Sequence, residues 1–139
     1  MKLSTKTRYG ARLLLDLARH YGQRPVQIGD IAKRQDISVK YLEQIIRPLK
    51  KAGFVHSIRG PKGGHVLAKA PEAISLGQIV RLLEGGEKLS ECVKAPEKCI
   101  KWEDCGVRVA WEEATAALYE KLNSITITDL LAYNNRSGG

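Results

Sequence analysis

The 139-residue chain has no run approaching the roughly eighteen apolar residues of a membrane span. Nor does it begin like a secretory leader. In MKLSTKTRYGARLLLDLARHYG the apolar positions are interrupted by Asp16, Arg19 and His20, and no small-residue cleavage site follows. A soluble, cytoplasmic protein is therefore expected, with no membrane partner. Cysteine is nearly absent: Cys92, Cys99 and Cys105 all lie within the stretch ECVKAPEKCIKWEDC. In a reducing compartment such a cluster points to metal or redox chemistry rather than to structural disulfides. No histidine follows His65, and neither a phosphate-binding glycine loop nor a paired acid–base constellation is present. An enzyme is not expected.

Acidic residues are scarce in the first half, and this scarcity tells more than the net charge of +8. Residues 1–70 carry fifteen Lys and Arg against four acids (Asp16, Asp30, Asp36, Glu43), a net +11, whereas residues 71–139 carry eight against eleven, a net −3. Basicity concentrated in one half is the electrostatic footprint of a polyanion-binding module.

The periodicity of that half predicts three helices and a hairpin. Leu13, Leu14, Leu17 and Tyr21 recur at helical spacing, which places an amphipathic helix over residues 5–21, ended by Gly22. IGDIAKRQ supports a short helix with Ile28, Ile31 and Ala32 facing inward. After the polar turn QDIS, Ser38 is the expected N-cap of a third helix with Leu42, Ile45, Ile46 and Leu49 as its apolar stripe and Gly53 as its stop. Pro48 is expected to bend its last turns. Short helix, tight turn and longer helix make a helix-turn-helix. Ser38, Lys40, Tyr41, Glu43, Gln44 and Arg47 lie on its outer or N-terminal side, where recognition helices meet base edges and phosphates. A solvated polar face explains that segment equally well. The stretch FVHSIRGPKGGHVLA decides between the two. Extended runs over Phe54–Ile58 and His65–Ala68 flank a tip of Gly60, Gly63 and Gly64, with Arg59 and Lys62 supplying charge. A basic hairpin directly after a helix-turn-helix reads as a wing, its arginine suited to a narrow minor groove. His56 and His65 read as strand or phosphate-facing residues, not as metal ligands.

MKLSTKTRYG, ISVKYLEQIIRPLKKAGFV, RGPKGGHVLAK, ISLGQIV and ITITDLL together resemble the IscR-type iron–sulfur transcriptional regulators, a winged-helix family that also includes NsrR, RirA and CymR. The likeness runs from Met1 to about Leu131. It implies a homodimeric repressor or activator bound to a partly palindromic double-stranded DNA site. It further implies a long dimerisation helix and an iron–sulfur cluster held by three cysteines. By that resemblance Ser38, Tyr41, Glu43 and Gln44 match base-reading positions, Arg59 the wing residue entering the minor groove, and Cys92, Cys99 and Cys105 the cluster ligands. Lys40 stands where the best-known members have serine, so the resemblance leaves the exact base preference open.

The second half is read with a Ser75/Gln78 capping box opening a helix that ends at Gly85–Gly86. From Cys105 onward a long helix carries Trp111, Thr115, Leu118 and Leu122 on one side, with Val107 a turn earlier, a face suited to a second copy of the chain or to its own domain. The expected fold is mainly α with a small β-hairpin wing. Its expected parts are a winged helix-turn-helix domain over residues 1–84 and a cysteine-rich loop over 85–106. A dimerisation helix and C-terminal segment over 107–134 and a flexible tail over 135–139 complete it.

Soft thiolates select zinc, copper(I) or iron–sulfur clusters. The Cys-x6-Cys-x5-Cys spacing is too long for paired zinc knuckles and suits a loop around a larger body. Where IscR-type proteins supply a histidine as fourth ligand this chain has Arg108, and where NsrR-type proteins use an aspartate it has Arg8. Glu103, Asp104, Glu112 and Glu113 are the candidate replacements, or the fourth position is open. The resemblance favours [2Fe–2S] over [4Fe–4S]. The alternative is a winged-helix regulator whose thiols bind zinc or sense oxidation directly.

Overall fold

The computed structural model describes residues 2–86 and 106–136, except the side chains of 134–136. Cys92, Cys99, Cys105, Glu103 and Asp104 lie outside the described residues, as do positions 137–139 of the expected tail.

Helix α1 (Thr5–Ala18) opens with the Ser4 hydroxyl accepting the Thr7 N–H at 3.2 Å. Leu13, Leu14 and Leu17 are fully buried at the centre of the molecule. The helix is shorter than its periodicity predicts. Beyond Ala18 the His20 and Tyr21 N–H groups bond three residues back, to Leu17 and Ala18, in tight turns. Tyr21 is consequently 46% exposed and does not extend the apolar stripe. Helix α2 (Ile28–Gln35) ends at Asp36, whose φ of 55° makes it the one non-glycine residue in left-handed conformation among the described residues. Helix α3 (Val39–Lys51) has the expected Ser38 cap and buries Leu42, Ile45, Ile46 and Leu49; Pro48 sits inside it without ending it.

Strands β1 (Val55–Ile58) and β2 (Gly64–Leu67) pair antiparallel, with Val55 opposite Leu67 and Ile58 opposite Gly64. The hairpin has a third participant that its sequence did not announce. Val26 exchanges both backbone hydrogen bonds with His65, at 2.9 and 2.8 Å, sewing the α1–α2 linker to the wing. Gly64 permits that approach. Its φ is 149°, and a Cβ there falls 2.6 Å from the Val26 carbonyl oxygen.

After a 3₁₀ turn (Pro71–Ala73), helix α4 (Leu76–Glu84) carries the expected capping box and stops at left-handed Gly85. A Cβ on Gly10 of α1 would collide with Leu83, so glycine lets α1 and α4 pack closely. Helix α5 (Gly106–Ser124) lies on α4, and α6 (Ile127–Arg136) lies on α1. Helix α6 was not foreseen. Thr126 and Asp129 cap it reciprocally, at 2.9 and 3.3 Å, and it runs through residues 135 and 136, which the sequence reading gave to a flexible tail. Fully buried Ile127 joins the same core as Leu13, Leu42 and Ile79, so the C-terminal segment closes the N-terminal fold. Among the described residues no helix is long and apolar enough to cross a membrane.

Candidate nucleic-acid interface

The turn into α3 follows a polar clamp between α1 and α2. Asp16, 1% exposed, accepts from Arg34 Nε at 3.0 Å, Arg34 Nη2 at 2.7 Å and Gln35 Nε2 at 3.1 Å. Burial pushes this carboxyl up, but the hydrogen bonds from Arg34 and Gln35 and the charges of Arg34 and His20 outweigh it. They leave Asp16 below the ordinary carboxylate value, so it stays ionised. The clamp ties the end of α2 to the last turn of α1 and so fixes the chain just before the turn into α3. In the sequence Asp16 stands out only as an interruption of an apolar stretch. A carboxylate between Leu13 and Leu17 on a helical stripe is itself the signal of a paired buried charge.

On α3 the Ser38 hydroxyl accepts the Tyr41 N–H at 3.1 Å. Lys40, Glu43, Gln44 and Arg47 are exposed, away from the four buried aliphatics. Tyr41 differs from its neighbours. It is half-buried, with its ring edge-on to Tyr9 at 6.0 Å and 86°. Arg12 lies over the other ring of that pair, 5.3 Å from the Tyr9 centroid, and donates to Gln35 Oε1 at 2.9 Å. The Tyr41 ring is thus braced on α1 before any ligand arrives.

On the wing, Arg59, Gly60 and Lys62 are exposed. Gly63 is not. It is buried, its N–H bonds the Gly60 carbonyl at 2.9 Å, and a Cβ would collide with the Ile58 carbonyl. Its part is to shape the tip, while the contact surface comes from its neighbours. His56 is exposed, whereas the His65 ring pairs with Ser57 Oγ at 2.9 Å across the hairpin. Burial, then the positive charge of Lys50, hold His65 below its usual value against the opposing pull of Glu43, so it is neutral at physiological pH. Helix α3 packs against β1, which sets this flank of α3 beside the hairpin.

Among the described residues no three His, Cys, Asp or Glu side chains converge on one point. Of the four candidate carboxylates two are described. Glu112 accepts from Arg108 Nη1 at 2.7 Å; Glu113 is exposed. The expected stripe on α5 divides. Thr115 and Tyr119 are buried against the chain's own domain, Leu118 and Leu122 are half-buried, and Val107 (57%) and Trp111 (43%) are exposed together with Val109. The Tyr119 hydroxyl donates to the Gly86 carbonyl at 3.2 Å, and the Ser4 N–H donates to Glu84 Oε1 at 2.7 Å. The last described residues before the cysteine stretch are thereby tied to α5 and to the start of α1.

This arrangement has known relatives. The family model Rrf2, described as an iron-dependent transcriptional regulator, matches residues 3–133. The protein rrf2 of Nitratidesulfovibrio vulgaris is 48% identical over 131 residues, covering 94% of this chain and 87% of that protein. The structure of CymR, the global cysteine regulator of Bacillus subtilis, superposes with a TM-score of 0.80 at 39% identity over 96% of this chain and 98% of that one. IscR of T. potens gives a TM-score of 0.80 at 39% identity over 99% and 90%.

Proposed function

The chain belongs to the Rrf2 family of transcriptional regulators, winged-helix DNA-binding proteins rather than enzymes, and on that premise we propose that it binds a partly palindromic operator as a homodimer and tunes that binding through an iron–sulfur cluster on Cys92, Cys99 and Cys105. The observation that carries the DNA part is the exposed set Lys40, Glu43 and Gln44 on a capped, clamped α3, beside a wing that exposes Arg59 and Lys62. Gln44 suits adenine, Glu43 accepts from cytosine N4 and repels phosphate, and Arg59 suits a narrow minor groove. The exposed Val107 and Trp111 on α5 are the face offered to the second protomer. Half-sites about one helical turn apart, roughly 34–36 Å, match such a dimer.

Three soft thiolates within one short stretch fit an iron–sulfur cluster, and the likeness to IscR supports it. When bound, the cluster supplies an iron centre sensitive to iron supply and oxidants. The chain's own part is mechanical. Gly86 and Glu84, at the entrance to the cysteine stretch, are held by Tyr119 and Ser4, and α1 in turn braces Tyr41 through Tyr9. A change in that stretch can therefore bias the setting of α3 through α4 and α1. Of the described fourth-ligand candidates, Glu113 is the freer, because Glu112 is engaged by Arg108. [2Fe–2S] is preferred to [4Fe–4S] on the IscR likeness.

A second reading, direct response of the thiols to oxidation or zinc, draws on the equal likeness to CymR. Anaerobic purification followed by absorption spectroscopy and iron and sulfide determination separates the two. Iron and sulfide with a visible charge-transfer spectrum support the cluster. Colourless protein that binds zinc, or whose DNA affinity changes on thiol oxidation alone, supports the second reading.

A further inference from the structure

Between the wing tip and α2 lies a cleft of about 410 Å³ with Arg24, Gln27, Asp30, Arg34 and Lys62 among its walls. Its two lips come from elements far apart in sequence. One is the α1–α2 linker, which carries Arg24. The other is the wing, which carries Lys62, and the Val26–His65 backbone pair locks the two together. Gln27 Nε2 also reaches across to the Pro61 carbonyl, at 3.4 Å.

The charges in this cleft are unequally satisfied. Arg34 is held by Asp16, and the one carboxylate on the wall, Asp30, acts on Arg34 as well. Arg24 and Lys62 are exposed and make no ion pair among the described residues. Both lips of one cleft therefore carry a cation available to an anion.

We infer that this cleft seats one phosphate of the DNA backbone, gripped jointly by Arg24 from the linker and Lys62 from the wing. The inference rests on the DNA-binding reading above and adds to it a contact outside α3, one that fixes the register of the wing without reading sequence.

The test uses full-length protein and duplex DNA selected by it from fragments of its own genome, titrated between about 50 and 200 mM salt. Arg24→Gln and Lys62→Gln should each weaken binding and leave the melting temperature unchanged, both side chains being exposed. If they share one phosphate, the double variant should lower the log–log salt slope by about 0.9 per protomer. A loss near 1.8 would mean two separate phosphates and would overturn the shared seat, as would a double variant with wild-type slope and affinity. Inorganic phosphate, added to DNA-free protein, distinguishes the source of the anion. Saturable phosphate binding lost in the double variant, with an unaltered DNA salt slope, would identify a small-anion site and overturn the assignment to DNA. Wild-type protein with no salt-sensitive DNA binding sinks the DNA-binding reading itself, a result separate from all of these.

Discussion

Replacing Asp16 by Asn tests whether the buried clamp positions the reading helix. The side chain is 1% exposed and accepts three hydrogen bonds, two of them from Arg34. Breaking a fully buried ion pair costs about 3–5 kcal/mol. Here the other partner is 42% exposed and regains water when released, which lowers the cost. The Asn amide oxygen also keeps one acceptor. With hydrogen bonds to a charged group at about 1.5–3 kcal/mol each, the net loss is expected near 2 kcal/mol. For a chain of this size that corresponds to a fall of roughly 6–10 °C in Tm.

The pH dependence has a definite sign. The folded carboxyl lies below the ordinary aspartate value, so its contribution is complete above the unfolded pKa of about 3.9 and is lost as pH falls through the lower folded value. Asn does not titrate. The stability gap between wild type and Asp16→Asn, measured by urea unfolding, should therefore be constant near neutrality and narrow below about pH 4. Because Arg34 and Gln35 lead directly into α3, DNA affinity at 25 °C should also fall while the protein is still folded. A variant within about 0.5 kcal/mol of wild type, or a gap that stays constant down to pH 3, would refute the clamp.

Four further outcomes are expected. Cys92→Ala, Cys99→Ala and Cys105→Ala should each abolish stable cluster loading in anaerobic spectra, whereas His20, His56 and His65 variants should load normally; cluster loss in any one histidine variant contradicts the thiolate assignment. Trp111→Glu should give a folded monomer by analytical ultracentrifugation, because the ring is 43% exposed on one chain; a dimer of wild-type strength would move the interface elsewhere. Gln44→Ala should broaden base preference in a selection experiment, and Arg59→Ala should reduce affinity for the selected site; unchanged preference and affinity would remove both from the interface. Gly64→Ala should cost about 1–3 kcal/mol in unfolding experiments, since left-handed backbone and the Val26 carbonyl both oppose a Cβ; a neutral result would mean the linker–wing pairing is dispensable.

Much of the fold was legible because it rests on short-range relations. Ser38 and the Ser75/Gln78 pair announce helix starts through bonds spanning three residues, and the stripe Leu42, Ile45, Ile46 and Leu49 announces the buried face of α3. The wing was legible from its glycines and its position after the helix-turn-helix. One local signal was passed over: Thr126 and Asp129 form the same kind of cap as Ser75 and Gln78, and they start α6.

Sequence by itself determined the helix-turn-helix, the basic wing, the confinement of positive charge to one half and the clustering of three thiols, since periodicity, capping and composition all act within a few residues. Only the tertiary structure decided which of these surfaces remain available. It set Asp16 under Arg34, braced Tyr41 on Tyr9, and turned Gly63 inward while Lys62 stayed out. It also divided α5 between its own domain and solvent, and brought Arg24 to the wing by pairing Val26 with His65. Those contacts join residues distant along the chain, and whether a side chain ends up buried, paired or free depends on which other elements share its space, which no local pattern encodes.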